Sequence, residues 1–279
     1  MIGALAAVGA MAMHTSWTYE LIAYREPARW GTPRTVDSDS VAAAAAAAYP
    51  SAWDTYDHAA AYPVCVPRTP CPVLYGIRGE TPEVVRSTAA TIAAEPVSHR
   101  QLFRTNQGTD AHIRAPEHPL RERTAYRLPG AVDRSPQTRE GGHVFIDVET
   151  VVGPVTAAAF EPTKQFRDVI RALVPGDRLT LYGTHVDGRI NLEKIHLRAL
   201  RQHTWETPPC TDCGARMSSA GRTAGYRCDR CGTTAAGKVR RPHRRTIAPG
   251  WYEVPPSARR HLARPLVRQP TRTPISPRV

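Results

Sequence analysis

The chain has 279 residues, with 37 Lys/Arg against 25 Asp/Glu and a formal net charge of +12 at pH 7. This length allows two or three small domains, each with its own core. The apolar run over residues 2–13 is too short to span a bilayer and lacks the basic start of a signal peptide. These features speak against a membrane or secreted protein and favour a cytoplasmic protein with an acidic partner such as nucleic acid.

The first elements predicted in the chain are a helix, a strand and a second helix. The apolar run over residues 2–13 predicts the first helix, and a strand follows that contains Leu21–Tyr24. The second helix is predicted from Val41 to Ala48, with Ser40 as its N-cap. A loop-rich stretch, residues 50–79, then contains two aspartates and two cysteines.

A third helix is predicted to begin at Pro82 behind the cap Thr81 and to extend to about Ala94. The strand Gln101–Thr105 follows and leads into the polar sequence NQGTDAH at 106–112. Helices and strands that alternate in this way predict a ferredoxin-like or related α+β domain over residues 1–112.

Residues 113–140 are rich in arginine and proline and are predicted to be a linker. Residues 141–203 then predict two strands, one short helix (162–173) and two closing strands. The phrase PGD-x-L-x-L-x-G at 175–183 is typical of an OB-fold barrel, and such barrels bind single strands across one face. A barrel that serves only as a spacer remains the alternative.

Two Cys-x-x-Cys pairs, each followed by glycine, lie in the most basic part of the chain. Each pair can hold one side of a tetrahedral Zn²⁺ site from a tight turn, and glycine suits the left-handed turn that brings backbone N–H groups to the sulfurs. The predicted ligands are Cys210, Cys213, Cys228 and Cys231. A zinc ribbon is therefore predicted over residues 204–235, with two disulfides in a secreted domain as the weaker alternative. Cys65 and Cys71 are predicted to be spare thiols.

The C-terminal part of the chain carries almost all of the net charge. From Trp205 to Val279 there are 15 Lys/Arg and 4 Asp/Glu, so the first 204 residues are nearly neutral. A basic block beside a metal-bound hairpin is typical of nucleic-acid binding. The predicted RNA-binding residues are Arg216, Arg222, Tyr226, Arg227, Arg230, Arg259 and Arg260. Residues 236–279 are predicted to be a basic segment that ends in a disordered tail.

Several long phrases together resemble one family, the archaeal tRNA(Ile2) 2-agmatinylcytidine synthetases (TiaS). They include TYELIAYR at 18–25, CPVLYGIRGE at 71–80, LFRTNQGTDAH at 102–112 and AFEPTKQFRDVIRALVPGD at 159–177. The resemblance covers roughly residues 1–266. It implies a ligase that uses ATP and Mg²⁺ to attach agmatine to the wobble cytidine of tRNA(Ile2). In such enzymes the cytidine C2 carbonyl is first phosphorylated and then attacked by the agmatine amine.

The family's aspartate-rich segment for ATP and magnesium, of the form HxGxDDTDS, has no counterpart in this sequence. The acidic run VDSD at 36–39 lacks the required strand and hydroxyl spacing. We therefore expect an N-terminally incomplete or split enzyme, with a separate chain that carries the ATP-binding segment as one option. The alternative is a non-catalytic protein that binds tRNA or single-stranded nucleic acid through the barrel and the ribbon.

Agmatine carries a guanidinium and an amine, so its pocket needs carboxylates and apolar walls. Asp110 and Glu80 are the first catalytic candidates that the resemblance implies, and Arg78 suits a phosphate. The predicted substrate-binding residues are Asp57, Asn106, Gln107 and Thr109. Each has an ordinary alternative: Glu80 could complement a helix dipole, and the run NQGTD could be an Asx-rich turn without a ligand.

Overall fold

The structure is a computed structural model that describes residue 9, residues 16–221 and residues 223–269. The predicted helix over 2–13, apart from residue 9, and the predicted disordered tail beyond residue 269 lie outside the described residues. Within the described ranges, no helix is long and apolar enough to cross a membrane.

A four-stranded sheet with two helices on one face forms the N-terminal domain. Its elements are β1 (Thr18–Arg25), α1 (Ser38–Ala48), β2 (Ala52–Trp53), β3 (Val73–Gly79), α2 (Pro82–Ala90) and β4 (Val97–Thr105). The strand order is β2-β3-β1-β4, and all the pairs are antiparallel. Because side chains alternate along a strand, Leu21 and Ile77 face the helices and pack with Val85 in one core. The predicted α+β fold of this region is confirmed.

The helix ends differ from the predicted ones. The cap of α1 is Asp37, whose side chain accepts the Asp39 N–H at 2.9 Å, so the prediction of Ser40 was wrong. The helix α2 ends at Ala90 instead of about Ala94. Both errors arise because more than one residue near a helix end has capping chemistry or helix propensity.

The second domain consists of β5 (Ile113–Arg114), β6 (Ala125–Val132), β7 (Gln137–Thr138), β8 (Val144–Thr150), β9 (Gly153–Ala159), α3 (Phe166–Arg171), β10 (Arg178–Val186) and β11 (Arg189–Ala199). Five strands close in the order β6-β10-β11-β9-β8, because β8 also pairs with β6. The β9–β11 pair is parallel, and α3 lies in the chain between β9 and β10. This closed five-stranded topology is the predicted OB fold.

The prediction of a linker over residues 113–140 was wrong at Ala125–Val132, because these residues form the strand β6. This strand pairs with β10 along Ala125–Ala131 and then with β8 from Gly130 to Val132, which closes the barrel. A Cβ atom on Gly130 would lie 2.4 Å from the Glu149 carbonyl oxygen, so only glycine allows the two strands to approach here. Pro129 and Gly130 make the sequence look like a loop, although they belong to a strand.

The C-terminal part contains β12 (His203–Glu206), β13 (Ser218–Gly221), β14 (Gly225–Arg227), β15 (Thr234–Ala235), β16 (Val239–Pro242) and β17 (Gly250–Glu253). The strands β13, β14 and β15 form the small sheet of the cysteine-bearing hairpin. The pair β12–β16 joins this hairpin to the barrel, and β17 returns to pair with β11. Part of the predicted basic C-terminal segment is thus an eighth strand of the barrel sheet.

Candidate ligand pocket and metal centre

The segment after β17, residues 254–268, crosses from the barrel to the N-terminal domain; we call it the C-terminal strap. The carbonyl oxygens of His261 and Leu262 accept the N–H groups of Gly108 and Asp110 at 2.8 and 2.9 Å. Gly108 has a φ of +65°, and a Cβ atom there would lie 3.1 Å from the Trp53 ring. The strap therefore holds the loop after β4 against the barrel, and the two domains share one interface.

A cavity of about 550 Å³ lies at this interface. It is bounded by α1 and the residues after it, by α3, by β17 and by the strap. Apolar and aromatic side chains form most of its wall, including Ala45, Tyr49, Trp53, Tyr56, Phe166 and Trp251. The carboxylates in the wall are Asp54, Asp57 and Glu253. A volume of this size with an apolar wall and few polar groups is typical of a small-molecule site.

Arg259 is the cation that faces these carboxylates. It forms ion pairs with Asp54 and, at 2.7 Å, with Glu253, and its side chain is only 6% exposed. Burial raises the pKa of Glu253 even though Arg259 lies beside it. Arg259 is thus paired with carboxylates inside the protein, an arrangement that favours a structural role over the predicted RNA-binding one. Its position after a double proline suits a segment that docks back on the body of the protein.

Asp57, a predicted substrate-binding residue, is buried in the same wall. Its carboxylate accepts the N–H groups of Ala60 at 3.2 Å and Ser257 at 3.4 Å. Three other buried polar atoms of pocket residues have no hydrogen-bond partner among the described residues: Thr55 Oγ1, Trp251 Nε1 and Arg259 Nε. A bound polar molecule would satisfy such atoms, since buried polar groups are normally hydrogen-bonded.

Asp110 has a different environment from the one predicted. The buried Lys194 donates to both of its oxygens at 2.8 and 2.6 Å, and the Arg264 N–H donates to one of them at 2.7 Å. Burial lowers the pKa of Lys194, although the Asp110 charge opposes this. Asp110 is thus an anchor between the barrel and the strap, and its carboxylate is already satisfied by the protein.

Arg78 and Gln107 lie together on the face of the sheet opposite the helices. Glu20 joins them: it accepts from Arg78 Nε at 3.1 Å and from Gln107 Nε2 at 2.8 Å. Arg78 also donates to His261 Nδ1 at 3.1 Å. Burial lowers the pKa of His261, and Arg78 adds to this effect. Sequence reasoning missed Glu20 and His261 because each is far from Arg78 in the chain.

The remaining predicted site residues lie at the rim of this region. The Thr109 hydroxyl donates to the Asn106 carbonyl oxygen at 2.5 Å, which is the geometry of a polar turn. The half-exposed Glu80 carboxylate is 3.6 Å from Arg268 Nε. Arg268 also stacks on the Trp53 ring, with its guanidinium carbon 4.4 Å from the centroid.

Four thiols form the metal centre. The sulfur atoms of Cys210, Cys213, Cys228 and Cys231 all lie within 4.8 Å of one another. Sulfur–sulfur distances are 3.3, 3.5 and 3.7 Å for three of the pairs, close to the edge of about 3.8 Å that a tetrahedron with Zn–S bonds of about 2.3 Å requires. The donor set fits structural Zn²⁺. Within the described ranges, no other group of His, Cys, Asp or Glu side chains has such an arrangement.

The predicted RNA-binding residues fall into distinct environments. On the ribbon, Arg216, Arg227 and Arg230 are exposed, and Tyr226 is half-buried against the cysteine core. Arg222 lies outside the described residues. Arg260 is 51% exposed and contacts Thr184 and Glu193 of the barrel.

Comparisons with known proteins agree with this architecture. The family model "TiaS FLD domain" matches residues 1–112, and "TiaS C-terminal zinc ribbon domain" matches residues 207–247. The tRNA(Ile2) 2-agmatinylcytidine synthetase TiaS of Methanosarcina mazei is 48% identical over 98% of this chain and 65% of its own length. The Haloquadratum walsbyi protein of the same name is 42% identical over 99% of this chain and 68% of its own length.

Solved structures are similar over nearly the whole chain. The crystal structure of a TiaS–tRNA(Ile2)–ATP complex has a TM-score of 0.87 and 47% identity, and it covers 97% of this chain and 64% of that one. The structure of a TiaS–tRNA(Ile2)–AMPCPP–agmatine complex has a TM-score of 0.84 and 44% identity, with the same coverage of both chains. This chain spans about 65% of the length of the first curated relatives that it matches.

Proposed function

This chain belongs to the TiaS family of tRNA(Ile2) 2-agmatinylcytidine synthetases, and from this premise we propose that it takes part in ATP-dependent attachment of agmatine to the wobble cytidine of tRNA(Ile2). The proposal rests on 48% identity to the Methanosarcina mazei synthetase over 98% of the chain. The related structures with tRNA(Ile2), ATP and agmatine support the same substrates. A tRNA substrate and unpaired thiols fit a cytoplasmic location.

The structural feature that supports the proposal is the 550 Å³ cavity with carboxylates in an apolar wall. Agmatine has a positive charge at each end of a stem of four methylene groups. Asp54, Asp57 and Glu253 outnumber Arg259, the cation that faces them among the described residues, so the cavity favours a cationic guest. Aromatic side chains beside it suit the methylene stem and the guanidinium plane. We assign agmatine to this cavity, with Asp57 as its principal carboxylate.

We assign the phosphorylated cytidine to the group of Arg78 and Gln107, beside the strap. Arg78 contacts His261 of the strap, and the nearby strap residue Arg259 lines the cavity, so this position brings the base next to the agmatine site. In the second step of the reaction the agmatine amine forms a C–N bond at C2, the C–O bond to phosphate breaks, phosphate leaves with the electron pair, and the amine nitrogen releases a proton. Arg78 supplies positive charge for that leaving group, and Glu20 holds its guanidinium in place. Gln107 is placed to hydrogen-bond the base, together with Asn106 and Thr109 in the same loop. Glu80, half-exposed, remains a candidate for proton transfer.

The proposal places no ATP or Mg²⁺ site among the described residues. Among the described residues, the four-cysteine group is the only one with metal-binding geometry, and thiolates suit zinc, whereas Mg²⁺ takes oxygen ligands. The relatives contain the matched region and the rest of their length in one chain. A separate chain that carries an ATP-binding segment therefore finds no support in the comparisons. A protein that only binds RNA would not need the carboxylate-lined cavity.

The test is incorporation of radiolabelled agmatine into a tRNA(Ile2) transcript with ATP and Mg²⁺. The matched control is the same transcript with uridine in place of the wobble cytidine. In a second condition, the N-terminal region of a relative is added to the reaction to supply an ATP-binding segment. We expect label in the cytidine transcript alone. A chain that neither incorporates agmatine under either condition nor binds the tRNA(Ile2) transcript would contradict the proposal.

A further inference from the structure

The two-stranded pair β12–β16 between the barrel and the zinc ribbon, which we call the neck, has two faces of different chemistry. Across the neck, Trp205 lies opposite Arg240, and Thr204 lies opposite Arg241. Because side chains alternate along a strand, His203, Trp205 and Arg240 share one face. Thr204, Glu206 and Arg241 share the other.

The face with Glu206 is neutralised within the protein. The Arg241 guanidinium lies 3.4 Å from the Glu206 carboxylate, and both side chains are about half exposed. This face thus resembles an ordinary solvated strand surface with one weak ion pair.

No residue in the described part of the chain neutralises or covers the face with Trp205. The Trp205 side chain is 60% exposed, more than any other described aromatic residue. Arg240 donates to His203 Nδ1 at 2.8 Å and forms no ion pair with any carboxylate in the described part of the chain. An exposed indole beside an unpaired guanidinium and an imidazole is the chemistry that holds an unpaired nucleotide, with the base on the ring and the phosphate on the cation.

The neck is held rigidly on the barrel, so this face has a fixed position. The buried Asp177 accepts from the Arg201 N–H at 2.8 Å and from both ends of the Arg245 guanidinium at 2.6 and 2.7 Å. These two arginines lie just before β12 and just after β16. The His243 N–H donates to the Gln202 carbonyl oxygen at 2.8 Å and closes the base of the neck.

We propose that the neck face formed by His203, Trp205 and Arg240 binds an unpaired nucleotide of the tRNA, with Trp205 stacked on the base and Arg240 against the phosphate. The inference rests on the proposed function, which makes tRNA the substrate. Charge complementarity favours RNA as the occupant, because Arg240 lies opposite Trp205 across the neck, and Lys238 and the exposed ribbon arginines precede Arg240 in the chain. A protein partner of this face is the alternative outcome of the test.

The test measures binding of a fluorescein-labelled tRNA(Ile2) transcript and of a labelled single-stranded RNA 12-mer to the full zinc-loaded chain by anisotropy. Trp205→Ala should weaken both about 5- to 150-fold, the range for loss of one base–aromatic stack. Trp205→Phe should recover most of the affinity. Arg240→Gln should reduce the slope of log K against log salt by about 1.

The matched control is Trp30→Ala, which removes the other highly exposed tryptophan (52%) from the N-terminal domain. It should leave RNA affinity unchanged, and zinc content and the melting temperature verify the fold of each variant. RNA should quench the fluorescence of the wild type more than that of Trp205→Phe. Wild-type RNA affinity in Trp205→Ala, or equal losses in both alanine variants, would overturn the inference and leave the proposed function intact. Failure of the wild type to bind tRNA(Ile2) would instead refute the proposed function.

Discussion

Replacing Arg259 with methionine separates a structural role from an RNA-binding one. The side chain is 6% exposed and pairs with Asp54, which is 5% exposed, and with Glu253, which is 20% exposed. Removing one partner of a buried pair costs about 3–5 kcal/mol, because a charge is left uncompensated. Glu253 already has a raised pKa and can take up a proton, so Asp54 is the main charge left. We therefore expect Arg259→Met to lower the free energy of unfolding by about 3–5 kcal/mol at pH 7.

Urea denaturation at several pH values provides the assay, with Arg260→Met as the matched control. Arg260 is 51% exposed, so its loss should cost less than about 1 kcal/mol. Without Arg259, the pKa of the Glu253 carboxyl rises further in the folded state, because the charge that opposes the effect of burial is gone. A carboxyl with a raised folded pKa stabilises the fold at low pH and loses that contribution as pH rises through the folded value. The cost of Arg259→Met should therefore be smaller at pH 5 than at pH 8. Unchanged stability together with weaker tRNA binding would refute this reasoning.

Three further changes test other parts of the structure. Arg245→Met should cost about 3–5 kcal/mol at pH 7, because Asp177 is fully buried. Burial acts to raise the pKa of Asp177, but the hydrogen bonds from Arg245 lower it below its usual value. The ionised Asp177 therefore stabilises the wild-type fold above about pH 4, and this stabilisation is lost as the pH falls through the lower folded pKa. Urea titrations of Arg245→Met should lack that acid dependence. Cys210→Ser should abolish stoichiometric zinc by elemental analysis, and retained zinc would contradict the four-thiolate site. Gly108→Ala should destabilise by about 1–2 kcal/mol in urea, because its φ is +65° and the new Cβ would meet Trp53 at 3.1 Å; a stabilised variant would contradict this.

The sequence was most informative where a local pattern determines local structure. The spacing of the four cysteines is enough to predict the zinc ribbon, because both pairs lie in tight turns whose geometry is set by adjacent glycines. The phrase at 175–183 predicted the barrel, and Gly183 shows why it ends in glycine. A Cβ atom there would lie 2.3 Å from the Asn191 carbonyl oxygen of the paired strand.

Long-range pairing explains most of what the sequence did not reveal. The strand β6 contains Pro129 and Gly130 and has an unremarkable composition, and only its pairing with two separate strands makes it part of the barrel. Arg245 and Arg259 look like surface charges in a basic segment. In the folded chain each meets a carboxylate that is more than 60 residues away in sequence. Charge counts cannot distinguish such buried pairs from an RNA-binding surface.

Long-range contacts also explain why the sequence predicts only part of the candidate site. Asp57, Arg78 and Gln107 lie beside the cavity or the sheet cluster, but the partners that complete these groups come from distant segments. Asp110 was selected because it is acidic and lies in a conspicuous polar run. Its ion pair with Lys194 depends on how the barrel docks against the loop after β4, which no local pattern encodes.

Isothermal titration of agmatine into the purified, zinc-loaded chain tests the central claim most directly, with Asp57→Asn and the exposed control Asp187→Asn in parallel. We predict one site in the wild type and in the control, and about 10- to 150-fold weaker binding in Asp57→Asn, the range for losing a hydrogen bond to a charged group. Absence of agmatine binding by the wild type, or undiminished binding by Asp57→Asn, would contradict the assignment of agmatine to this cavity.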